Sequence, residues 1–378
     1  MRALVVTWGP GGNLPPLLAA ARLLVDRGHD VAVLASAATR SAAERAGMAV
    51  VGFRRSTGPD VRVPFEDQAD HMMATSAGME IARDTSDVLE ELHPDLIVAD
   101  CMLPAALAAA EAAATPAASL VHFLYGAARE TMLRAGGGWT TDLRTLAHTR
   151  RALGLAPLES GLAAWERPDL VLVTAPGWLD VDTGAPPHVV HAGPLGVDVA
   201  PARERSRVLL TFSTTVMAGQ EALIERVGVA VAELDRHPTL TLGPAIGRDA
   251  IRVPDAVEVR TFGDHDRMLP ECALVVCHGG LGTVLRALAH GVPQLILPLG
   301  RDQAFNAGRV ETLGAGIALP LDASPQRIRS ALDTLLSGAS FRTAAGDAAR
   351  RIAADRPERA AGRALDDVVS ARRGSEPA

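Results

Sequence analysis

The chain has 378 residues, a formal net charge of −7 and a pI near 5.9, which excludes the broad basic footprint of a nucleic-acid binder. Aromatic residues make up 3%, too few for a row of base-stacking platforms, while 48% hydrophobic and 21% charged residues describe an ordinary globular protein long enough for two or three domains. Cys101, Cys272 and Cys277 form no CxxC pair and suit a reducing cytoplasm; Glu111 and Pro116 interrupt the Ala-rich run, so no membrane span is expected, and the N-terminus reads as a strand, not a signal peptide.

In chain order, buried-strand runs are expected at 3–7, 31–35, 50–53, 96–100, 118–123 and 170–174, with helical periodicity between several of them. In the first helix Leu17, Leu18, Ala21, Leu24 and Val25 share one face, Arg22, Asp26 and Arg27 oppose it, and Gly28 stops it. GPLGVDVAPARERSR, residues 193–207, breaks the pattern with glycine, proline and charge, and reads as a linker. A second series of strands is expected at 208–212, 240–242, 257–262, 273–277 and 295–297. Alternating strands and helices imply an α/β protein with two doubly wound, Rossmann-like domains, 1–192 and 208–357, followed by a helical stretch at 358–378. Ligands bind such sheets beyond the carboxyl ends of the strands, so two facing domains predict one cleft between them.

The sharpest motif is ALVVCHGGLGTVLRALAHGVPQLILPLGRDQAFNA, residues 273–307. A buried strand ends at Val275 and Val276, His278, Gly279 and Gly280 make the turn, and Gly282 and Thr283 open a helix. Backbone N–H groups and the positive end of the helix dipole then face the turn, an arrangement suited to an anion. Thr283 adds a hydroxyl and His278 an imidazole; a tight turn that merely contains a histidine is the alternative. No ligand partner follows Cys277 and His278 at metal spacing, so no metal is expected.

HGGLGT, then GVPQLILP, then RDQAFNA resembles the donor-binding signature of glycosyltransferase family 1, the two-domain GT-B enzymes, and within it bacterial natural-product glycosyltransferases acting on polyketide, macrolide, enediyne or glycopeptide aglycones. The resemblance implies that His278, Gly279, Gly280, Gly282 and Thr283 hold the diphosphate of a TDP- or UDP-sugar, that Asp302 and Gln303 meet the sugar hydroxyls, and that Thr214 with Ser213 or Thr215 in FSTT assists. In TFGDHDRMLP, Phe262 and His265 stand where relatives carry Trp and Gln, so base contacts are expected there. Asp302 as a helix N-cap is a further reading, and Asn306 reads as structural. The resemblance also implies that the last helix packs back on the first domain, that displacement is inverting, metal-independent and free of any cofactor, and that closure excludes water; it leaves a homodimer open.

The first loop, GPGGNLPPL at residues 9–17, is the departure. Relatives place a histidine, the general base, where Asn13 stands, and an amide takes up no proton near neutral pH. Asn13 is either a helix N-cap ahead of Pro15 and Pro16 or an acceptor-orienting group. Asp100, ending the strand PDLIVAD, bonds Asn13, is itself the base, or caps the next helix. Other candidates lie in acceptor-facing stretches: Asp70, His71 and Met72 in a methionine-rich segment, and His122, Phe123 and Tyr125 at another strand end. An acidic acceptor, a C-glycosidic bond, or a non-catalytic or partner-dependent sugar-nucleotide-binding homologue would each accommodate the lost histidine. A dinucleotide-binding oxidoreductase is disfavoured, because the second strand ends at Ala35 and Ser36 without the acid that grips a ribose.

Overall fold

The computed structural model describes residues 1–9, 11–56, 65–134, 143–199, 205–244 and 246–375. Residues 200–204 of the expected linker, 376–378 of the tail and the side chain of Asp70 lie outside them. The chain divides into two units. One takes in Met1–Val61, Glu66–Gly196 and Arg356–Ala378; the other takes in Val197–Asp355.

The first unit is a seven-stranded parallel sheet of β1 (Arg2–Val6), β2 (Asp30–Ala35), β3 (Ala49–Gly52), β4 (Leu96–Asp100), β5 (Ala117–Val121), β6 (Leu170–Val173) and β7 (Val189–His191), in the order β3-β2-β1-β4-β5-β6-β7. The two-residue period of a strand sends alternate side chains to opposite faces. Ala3 and Val5 of β1 join one core with Leu17, Ala21 and Leu24 of the helix Leu14–Asp26. Leu4 and Val6 join the other with Ile81 and Leu89 of the helix Met79–Leu92 and the alanines of the helix Pro104–Ala112. The final helix, Pro357–Ser375, adds Ala361, Leu365, Val368 and Val369 to the first of these cores.

The second unit is a six-stranded parallel sheet: β8 (Arg207–Thr211), β9 (His237–Thr241), β10 (Glu258–Arg260), β11 (Cys272–Cys277), β12 (Gln294–Ile296) and β13 (Gly316–Ala318), in the order β10-β9-β8-β11-β12-β13. Val208, Leu210, Leu274, Val276 and Leu295 pack against Leu223 and Val227 of the helix Gln220–Val231 and against Ile328, Leu332 and Leu335 of the helix Pro325–Ser337. In each sheet the order reverses between two strands, β1 and β4 in one and β8 and β11 in the other. Such switch points open a crevice at the carboxyl edge. Among the described residues, no helix is long and apolar enough to cross a membrane.

β7 and β13 have no counterpart in the sequence-based expectations, and the run expected at 257–262 pairs only over Glu258–Arg260, which leaves Phe262 past the strand's end.

Candidate functional site

At the switch point of the first sheet, Asp100 ends β4 and Asn13 closes the loop after β1, directly before the helix Leu14–Asp26. The Asn13 Nδ2–H donates to Asp100 Oδ2 at 2.6 Å. Asn13 occupies the N-cap position of the helix Leu14–Asp26, but its side chain makes no capping bond. Asp100 likewise caps no helix with its side chain; its Oδ1 accepts the Met102 N–H at 2.9 Å, and Leu103 is the N-cap of the helix that follows. The other partner of Oδ1 is His122 Nε2, at 3.2 Å, delivered from the end of β5, the strand beside β4.

Burial acts to raise the Asp100 pKa, but the charge of His122 and hydrogen bonds from His122, the Met102 N–H and Asn13 outweigh it and hold the carboxyl below its ordinary range. An ionised carboxylate only accepts, so His122 Nε2 is the nitrogen that donates to it. Asp100 is 0% exposed, which removes it from contact with an acceptor and corrects its reading as the base itself. The His122 side chain keeps 20% of its surface exposed. A carboxylate oxygen of Asp100, Cys101 Sγ and a His122 nitrogen also lie within 4.8 Å of one another. Metal ligation does not suit them: three donors already occupy the carboxylate, and burial together with Asp100 pushes the Cys101 thiol well above its usual pKa.

The remaining expected acceptor residues separate. Phe123 is buried, edge-on to His122 and 4.9 Å from the Trp165 ring. Tyr125 is fully buried, its hydroxyl donating to Glu166, which Arg129 also holds at 2.8 Å; burial, then Glu166, raises its pKa. That phenol is committed to the fold, which corrects its placement on an acceptor surface. Met72 packs half-buried against the core, and His71 is exposed on the helix Phe65–Ser76.

At the switch point of the second sheet, β11 delivers His278, and the helix Leu281–Ala289 starts at Gly280 with no side chain capping it. Gly279 has φ +90°, and a Cβ there would lie 2.8 Å from Ile296 Cγ2; the turn therefore needs glycine. Gly282 is exposed and Thr283 half-buried on the first turn of that helix. Burial, partly offset by a hydrogen bond to the Thr211 backbone and reinforced by the charge of Arg301, lowers the His278 pKa to about 4. The imidazole is therefore neutral at pH 7, and its buried Nδ1 has no hydrogen-bond partner among the described residues.

Neighbouring loops frame this turn. Ser213 Oγ accepts the Thr215 N–H at 3.1 Å and Gln220 brackets the Ser213 backbone, so Ser213 shapes the loop while Thr214 is exposed. Phe262 is 80% exposed. His265 turns inward, with Nε2 3.4 Å from the Thr211 hydroxyl and 3.3 Å from that of Thr241, and burial followed by the charge of Arg286 lowers its pKa. It braces the ends of β8 and β9, a different position from the open base contact expected of it. Gln303 Oε1 accepts the N–H groups of Leu299 and Gly300 at 2.7 and 3.2 Å. Asp302 makes no capping bond but accepts from Asn306 Nδ2 at 2.9 Å.

Asn306 is structural, as its sequence suggested; what sequence reasoning missed is Arg301. Buried Asn306 also donates to the Gly279 carbonyl at 3.0 Å, so one amide ties the glycine turn to the Asp302 loop. Arg301, at φ +57°, sets its charge near His278. A charged residue between Gly300 and Asp302 was the available signal.

Residues 225–365 match the family model described as erythromycin biosynthesis protein CIII-like, C-terminal domain. The chain is 30% identical over 286 residues, 67% of its length, to the 3-alpha-mycarosylerythronolide B desosaminyl transferase of Saccharopolyspora erythraea, and the match spans 63% of that protein. It is 27% identical over 368 residues to the L-demethylnoviosyl transferase of Streptomyces niveus, covering 89% of this chain and 90% of that one. The solved structure of the glycosyltransferase VinC in complex with dTDP aligns with a TM-score of 0.75 at 24% identity, covering 98% of this chain and 100% of VinC.

Proposed function

We propose that this chain, which has the GT-B fold and carries the erythromycin biosynthesis protein CIII-like C-terminal domain over residues 225–365, is an inverting glycosyltransferase that moves a sugar from a thymidine or uridine diphosphate donor to a small-molecule aglycone. The observation that carries this reading is the glycine turn His278-Gly279-Gly280 at the second sheet's switch point, in front of an uncapped helix N-terminus. Free N–H groups and the helix dipole favour an anion there by about 0.3–1 kcal/mol at exposed sites and up to about 2 when partly buried.

The donor diphosphate sits on this turn, with Gly279 allowing close approach and Thr283 adding a hydroxyl. His278 Nδ1, buried and unpartnered among the described residues, is a contact for a phosphate oxygen once it carries a proton. As the bond from the anomeric carbon to the diphosphate breaks, these fixed dipoles meet the growing negative charge and supply the stabilisation a metal would otherwise give. Exposed Phe262 offers the pyrimidine an apolar face. Asp302 reaches the donor sugar, on a loop that Asn306 and Gln303 hold in shape. The acceptor belongs to the first unit, beside the network centred on Asp100, and the product is an inverted glycoside formed through an oxocarbenium-like transition state.

Calorimetric titration of the wild type and His278→Ala with thymidine diphosphate, uridine diphosphate and NAD, without added metal, tests the reading. Binding of a pyrimidine diphosphate that is lost in the variant supports it. Binding of NAD alone, or of nothing, overturns it.

A further inference from the structure

We infer that His122 is the general base of the transfer, with Asp100 as the residue that positions it; this rests on the function proposed above. Asn13 takes the place at which the resemblance puts the catalytic histidine, and its amide cannot accept the proton. The carboxylate that would partner such a histidine is nevertheless present and ionised. Among the described residues that donate to it, Asn13 Nδ2 and the Met102 N–H cannot take up a proton, whereas His122 offers an imidazole. His122 comes from the neighbouring strand, and its side chain is partly exposed where Asp100 is sealed.

Each group then has one task. Asn13 and Met102 hold Asp100 in place. Asp100 accepts from His122 Nε2, fixes the tautomer and stabilises the imidazolium. Nδ1 takes the proton of the acceptor O–H while the acceptor oxygen bonds to the anomeric carbon. The bond from that carbon to the diphosphate oxygen breaks, and its electron pair leaves with the nucleoside diphosphate. The edge-on ring of Phe123 packs on the imidazole and limits its rotation.

His122→Gln tests this with the fold protected, because the glutamine amide keeps a donor for Asp100 and fills similar space. The wild type and the variant are compared with TDP-glucose on two probe panels, acidic phenols such as 4-methylumbelliferone and macrolactones bearing only aliphatic hydroxyls, with thymidine diphosphate affinity measured in parallel. The expected result is a fall in kcat of about 10²–10⁴-fold on the aliphatic hydroxyls, a loss under tenfold on the acidic phenols, and unchanged nucleotide affinity. Asp100→Asn should reproduce the same selectivity toward acidic acceptors. Equal turnover of both panels by the wild type and His122→Gln overturns the role of His122 alone, as does an equal loss on both. A wild type that neither binds thymidine diphosphate nor transfers to either panel overturns the proposed function, and the base with it.

Discussion

Replacing Gly279 with alanine should cost the second unit about 3 kcal/mol, from two separate sources. A side chain at φ +90° pays the left-handed penalty of roughly 1–2 kcal/mol. The new Cβ also falls 2.8 Å from Ile296 Cγ2 and 3.1 Å from the Gln303 carbonyl oxygen, and overpacking of this kind costs about 1–3 kcal/mol. The Gln303 contact is with backbone, and Asn306 ties the Gly279 carbonyl to the same loop, so neither neighbour yields freely. For a unit of this size, each kcal/mol moves the unfolding midpoint by about 2–4 °C, which predicts a fall of about 6–12 °C by scanning calorimetry. Gly12, in the other glycine loop, is the control. Nothing lies within 4 Å of a Cβ built there, and its φ is not positive. Gly12→Ala should therefore stay within about 0.5 kcal/mol of the wild type. A Gly279→Ala protein melting within 2 °C of wild type, with full thymidine diphosphate affinity, would refute the claim that this turn demands glycine.

Phe262→Ala should leave the melting midpoint unchanged, since the ring is 80% exposed, while weakening thymidine diphosphate about tenfold, in line with roughly 1–3 kcal/mol for stacking on a base; unaltered affinity in calorimetry counts against a base contact. Burial lowers the His278 pKa to about 4 from an ordinary 6.5, so the unfolded chain takes up its proton first, and the associated stability is full above about pH 6.5 and lost as pH falls toward 4. The wild-type midpoint should drop more steeply across that window than that of His278→Asn, and equal slopes would show that the buried imidazole is not the linked group. Leu365→Ala should cost about 2–5 kcal/mol, because Leu365 is fully buried in the first unit's core; a change under 1 kcal/mol in denaturant unfolding would mean the last helix is dispensable there.

The fold was legible wherever a strand is buried on both faces, because Ala3–Val6 or Leu274–Val276 has no polar partner to blur the run. β7 and β13 escaped for the opposite reason. Each has three residues at a sheet edge, and Val189–His191 follows two prolines while Gly316–Ala318 carries one large apolar side chain. At the glycine turn of the second unit, residue type and spacing marked out the loops but not the job of each side chain. His265 and Gln303 turn inward to brace backbone and strand ends, and Asn306 bonds a glycine carbonyl 27 residues earlier in the chain. Local sequence carries the glycine, which answers to its own φ. It does not carry the direction in which an amide or imidazole points, which tertiary neighbours decide.

The same distinction explains why the loss of a histidine from the first loop need not remove a base. In a parallel sheet ordered β1-β4-β5, the loops leaving three neighbouring strands open at one edge. Adjacent strands are about 4.8 Å apart, so a side chain after β1 and another after β5 can both reach a carboxylate at the end of β4 between them. Asn13 and His122 do so from opposite sides, on separate oxygens of Asp100. The carboxylate has room for one imidazole from either flank, and with His122 as the inferred base its position at the switch point, rather than the identity of the first-loop residue, is what matters. On this argument Asn13→Ala, which frees Oδ2 but leaves His122 on Oδ1, should lower turnover less than His122→Gln on aliphatic acceptors; the reverse order in kcat would return the central role to the first loop.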